Sequence, residues 1–135
     1  MLRRSAFLFL VMLVPAVFSN VLLAHHSKAN YGKVETTLKG TVVEYKWRNP
    51  HVYLVWDVKD QGGQSVRWTG ELGSVTTMIA EGMTKDSLKP GDEVTVYSYP
   101  DRTGTPESVV RRIVKSDGTV VVANAPGTPG TIPEK

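Results

Sequence analysis

The sequence contains no cysteine in 135 residues. Disulfides, thiolate metal centres and a cysteine-borne lipid anchor are all excluded by that absence. It also lacks the short motifs of several common chemistries: no G-x-S-x-G elbow, no phosphate-cradling glycine loop and no H-E-x-x-H helix. Nucleophilic catalysis has little to build on, so the chain reads as a binding protein rather than an enzyme. A strong excess of one charge is missing too. The formal net charge is +3, and two of the cations, Arg3 and Arg4, lie in the first few residues. Without them the balance falls to +1, which removes the main electrostatic argument for a nucleic-acid partner.

Those first residues carry the one long apolar run. MLRR is followed by AFLFLVMLVPAVF and then by VFSNVLLA. A basic start, an apolar stretch and small residues near its end predict a secretory signal peptide over residues 1–24. The alternative is a retained leader anchored in a membrane, the only membrane contact the sequence suggests. The expected organisation places a mature N-terminal segment at 25–36, a β-domain at 37–123 and a disordered tail at 124–135. The protein is then periplasmic or secreted.

What is present is alternation. LKGTVVEYKW places Val43, Tyr45 and Trp47 on one face, and HVYLVWDVK keeps Val52, Leu54, Trp56 and Val58 in phase. DQGGQ supplies a turn, and SVRWTGEL predicts a third strand with Val66, Trp68 and Leu72 facing together. The period then changes: Ser74 can cap a short helix over residues 74–81, stopped by Gly82. Two more strands follow, in LKPGDEVTVYSY and ESVVRRIVK, with a small terminal hairpin at Asp117-Gly118. Three meandering strands, a helix and two strands predict an all-β domain with one short helix, an OB-fold-like five-stranded Greek-key barrel.

The segments AHHS, KGTVVEYKWRNPHVYL, WTGELGS, LKPGDEVTV and RRIVKSDG resemble an uncharacterised family of short exported bacterial proteins, known only as a domain of unknown function. The resemblance runs from Ala24 to about Val121. It implies an exported, OB-like small domain and assigns no activity.

The candidate chemistry rests on the three histidines, two of them adjacent. Cleavage after Ala24 would leave His25 first, its α-amine and imidazole able to chelate one ion. His26, and His51 from the NPH turn, are further imidazole donors, and such a nitrogen set suits Cu(II), with Ni(II) and Zn(II) next. Copper is therefore the cofactor to expect if a metal binds at all. The alternative leaves His25 and His26 as solvated residues of a mobile terminus and His51 as a turn residue bonded to a backbone carbonyl. A second candidate site for a small ligand, glycan or protein partner is the face of the first three strands, with Trp47, Tyr53 and Glu71. Against it, Trp47, Trp56 and Trp68 are in phase with aliphatic neighbours, which predicts core positions. Glu71 is expected to pair with Arg67 at the surface. Met78 and Met83 are expected to fill the core.

Overall fold

The structure, a computed structural model, describes residues 30–122. The leader, His25, His26 and the expected C-terminal tail lie outside the described residues. Six strands and one helix follow in order: β1 Thr36–Lys46, β2 Tyr53–Lys59, β3 Ser65–Glu71, α1 Val75–Ala80, β4 Glu93–Pro100, β5 Glu107–Lys115 and β6 Val120–Val122. The sheet order is β3-β2-β1-β4-β5-β6, and a parallel pairing of β3 with β5 closes the first five strands into a barrel. The fold class expected from the sequence is the one observed: mostly β, one short helix, and OB-like connectivity. The sixth strand belongs to the terminal hairpin expected at Asp117-Gly118.

Closure depends on β1 serving two neighbours. Its first half, Thr36 to Thr41, pairs with β4, and Gly40 to Lys46 pairs with β2. A register irregularity between Val42 and Glu44 leaves Val43 without a partner on β2. Such an extra residue bends a strand and reverses which side chains face inward. The alternation expected from Val43 through Trp47 therefore needs correcting. Val42 is the buried residue, Val43 is the bulge, and inward phase resumes at Tyr45 and Trp47, which pack against the core.

The core is aliphatic around one large aromatic. Trp56 is fully buried, surrounded by a cluster that includes Leu54, Val96, Val110 and Ile113. Trp68 lies 6.1 Å from it, centroid to centroid, and is half-buried. Two glycines make room for the indole. A Cβ on Gly40 would lie 2.8 Å from Trp56 Cδ1, and one on Gly70 would lie 2.9 Å from its Cζ3. Met78 and Met83 are buried in the same cluster, as their positions suggested.

The helix is short and held at both ends. The Ser74 side chain accepts a hydrogen bond from the Thr77 amide at 3.2 Å, satisfying one of the donors a helix start leaves free. Gly82 ends it at a positive φ of 84°, where a side chain would be strained. Only Met78 of the helix is buried. Among the described residues no helix is long and apolar enough to cross a membrane.

Candidate functional site

Strand alternation decides which side chains meet at the junction of β2 and β3. Val52 and Leu72 point inward and are buried, so their neighbours His51, Tyr53 and Glu71 point outward. The β2–β3 ladder pairs Tyr53 with Glu71, and Val52 N–H donates to the Gly73 carbonyl just beyond it. His51 therefore lies diagonally across from Glu71. Its Nδ1 is 2.7 Å from Glu71 Oε1, with the carboxylate side chain 17% exposed and the imidazole 42% exposed.

This contact corrects the expected pairing of Glu71 with Arg67. Arg67 instead forks onto Asp57, with Nε–Oδ1 at 2.9 Å and Nη2–Oδ2 at 3.0 Å, because the ladder places those two directly opposite each other. The guanidinium and its hydrogen bonds hold the Asp57 carboxyl below its ordinary range. Glu71 is left for the histidine. The Nδ1 contact also replaces the backbone-carbonyl bond considered for His51. With Nδ1 against the carboxylate, Nε2 is the ring nitrogen away from Glu71.

Beside the pair is a narrow cleft of about 60 Å³ lined by Tyr31, Tyr53, Thr69, Glu71, Glu107 and Ser108. The β3–β5 seam builds it: Thr69 is level with Glu107, and Glu71 with Val109. Burial pushes the Tyr31 phenol up to about 12, reinforced by the carboxylates of Glu71, Glu107 and Asp101 and then by Tyr53. Burial raises Tyr53 as well, followed by Glu71, while the Arg48 charge opposes them. Oxygen donors, negative charge and two phenol rings line this space, with no cationic side chain among them. Its two carboxylates and two phenols offer oxygen atoms suited to a cationic group.

Tyr31 reaches the cleft because the chain before β1 is docked on the barrel. Tyr31 forms an isolated antiparallel bridge with Asp101 and is 7% exposed, in a small cluster with Tyr99 and Val109. Gly32 N–H donates to the Pro100 carbonyl at 2.8 Å, and Arg102 N–H to the Asn30 carbonyl at 2.9 Å.

Of the residues singled out from sequence, His51, Glu71 and Tyr53 are brought together. Trp47 is not among the cleft-lining residues. Its ring lies 5.8 Å from Tyr45, and it packs against the core. His25 and His26 lie outside the described residues. Tyr31 and Glu107 were missed. The one available signal was a lone aromatic within the polar segment HHSKANYGKVE; nothing in the local pattern marked Glu107. Among the described residues no group of three or more histidine, cysteine or acidic side chains could hold a metal ion.

Comparison with known proteins gives one family match: a model described as a family of unknown function, DUF6152, matches residues 14–110. No curated protein and no solved structure matches the chain.

Proposed function

The chain belongs to the DUF6152 family, and we propose that it is a small exported binding protein that holds a copper ion between its mature N-terminus and His51. The observation that carries this reading is the His51–Glu71 contact at 2.7 Å. A carboxylate on one ring nitrogen fixes the imidazole and strengthens the other nitrogen as a donor, the usual support of a metal-bound histidine. Glu71 is then an orienting group rather than a ligand.

Chain length supports the remaining donors. His26 and His25 precede Tyr31 by five and six positions. At about 3.3–3.6 Å per residue, such a tether spans at most about 20 Å. Tyr31 and Glu71 line one small cleft, so both N-terminal imidazoles and the α-amine left by cleavage after Ala24 are within reach of His51. An amine with two or three imidazoles is a donor set suited to Cu(II). The reading assigns binding without catalysis and a periplasmic or secreted location.

A titration with Cu(II) on three proteins tests it: the native N-terminus, the same chain with one extra leading residue, and His51→Ala. Both altered proteins are expected to bind more weakly. Equal affinity in all three, or no binding by the native form, refutes the shared site.

The second reading, a non-metal ligand on the face of the first three strands, is supported by the cleft itself. Its acidic lining favours a cationic group of a small ligand or of a partner protein.

A further inference from the structure

We infer that the cleft over the β3–β5 seam binds the primary ammonium group of an alkyl chain, with Glu107, Glu71 and the Tyr31 hydroxyl as its three acceptors. The inference rests on the second reading above, deepens it by naming the cation, and is independent of copper. Register brings the acceptors together. Tyr53 is level with Glu71 on one side of β3, and Thr69 is level with Glu107 on the other. Alternation puts Thr69 and Glu71 on one face of β3, so these side chains line one space. Tyr31 enters it from the arm before β1. It is only 7% exposed, yet its hydroxyl hydrogen-bonds no described residue. A phenol buried to that extent usually finds a partner. The carboxylates of Glu71, Glu107 and Asp101 all act on it, so the ring packs on Tyr99 and Val109 while its oxygen faces the acidic lining.

Donor count and size select the cation. An ammonium carries three N–H donors and no acceptor. Glu71 gives Oε1 to His51 at 2.7 Å, which leaves Oε2, a Glu107 oxygen and the Tyr31 oxygen as three matching acceptors. Arg48 acts on Tyr53 and His51 on Glu71, so Glu107, on the β5 side, is the stronger counter-charge. The cleft holds about 60 Å³. That is twice the share of one water in the liquid, about 30 Å³, and suits a nitrogen with one methylene. A quaternary ammonium offers no N–H and is wider, and a guanidinium presents five donors in a rigid plane. Neither matches three acceptors in this space.

The test uses the full mature chain without copper, n-butylammonium chloride as the probe, and backbone amide resonances as the readout. Saturable shifts are expected at Tyr53, Thr69 and Glu107, with tetramethylammonium and n-butylguanidinium binding about tenfold more weakly or less. Glu107→Gln should weaken n-butylammonium binding about tenfold, the loss of one charge-assisted hydrogen bond. Tyr31→Phe should weaken it severalfold with no fall in melting temperature, because the hydroxyl it removes has no partner in the described protein. Glu93→Gln removes the same charge from a separate groove and should change neither. Tighter binding of Nα-acetyl-lysine methylamide than of n-butylammonium assigns the group to a lysine of a partner protein, and equal binding assigns it to a small amine. Equal binding of the quaternary or guanidinium probe, or undiminished binding by Glu107→Gln, overturns the ammonium site and leaves the cleft as a site for cations in general. No shift with any of these cations overturns the cleft reading and the inference together.

Discussion

The two glycines around Trp56 offer a quantitative test of the core. Replacing Gly70 with alanine puts a methyl into the Val110 Cγ2 atom, with Trp56 Cζ3 at 2.9 Å. Replacing Gly40 puts one into the backbone carbonyl oxygen of Asp57, with Trp56 Cδ1 at 2.8 Å. Overpacking of this kind costs about 1–3 kcal/mol, and removing a glycine from the unfolded chain returns about 0.4–1 kcal/mol. Gly70→Ala should therefore lose about 1–2 kcal/mol, because a side chain can yield. Gly40→Ala should lose about 2.5 kcal/mol, the top of that range, because the obstacle is the β2 backbone and the ladder must shift. With a urea slope of about 1–3 kcal/mol per molar, these are midpoint shifts from about 0.3 M to about 2.5 M. A second substitution separates the cases. Val110→Ala removes the methyl that blocks Gly70→Ala, so the double variant should be more stable than the sum of the singles by about 1 kcal/mol. No side-chain truncation should rescue Gly40→Ala. Strict additivity in the first pair, or a Gly40→Ala protein as stable as the original, would refute this packing of Trp56.

Three further outcomes follow from the same structure. Ser74→Ala removes the only side-chain cap of a six-residue helix and should cost about 1 kcal/mol in denaturant unfolding, whereas Ser74→Asn should be nearly neutral. Glu71→Gln keeps the shape but weakens the support of His51, and should reduce Cu(II) affinity about 10–100-fold in a competition titration. The phenols give a pH dependence: Tyr31 is raised to about 12 when folded, and an unfolded tyrosine titrates near pH 10. Its contribution to stability is fully present below pH 10 and is lost as pH rises through about 12, so phenolate absorbance should show late-titrating tyrosines that shift to pH 10 in urea. A single transition near pH 10 for all five tyrosines of the native protein would contradict this.

The elements legible in the sequence were those governed by local chemistry. Ser74, Gly82 and the turn glycines mark their own boundaries, and the phase of Leu54, Trp56 and Val58 identifies the buried face of β2. What the local pattern did not carry was register. The bulge at Val43 moves inward phase from Val42 to Tyr45, and no residue type in VVEY announces it. The partner of Glu71 was misread for the same reason. Arg67 lies nearby on the same face of β3, but the neighbouring strand supplies Asp57 to one and His51 to the other. Tyr31 and Glu107 are 76 positions apart, and only the closure of β3 on β5 and the docking of the arm bring them to one cleft. The histidines were visible as donors from composition alone. That His51 is held by a carboxylate was not.

Whether His51 shares one copper ion with the N-terminal donors is decided by counting imidazoles. In electron spin-echo spectra of the Cu(II) protein, each equatorial imidazole is seen through its remote, non-coordinating nitrogen. A shared site gives at least two such imidazoles in the native protein and one fewer in His51→Ala. The same count in both proteins would contradict it, leaving copper at the terminus alone and His51 outside the site.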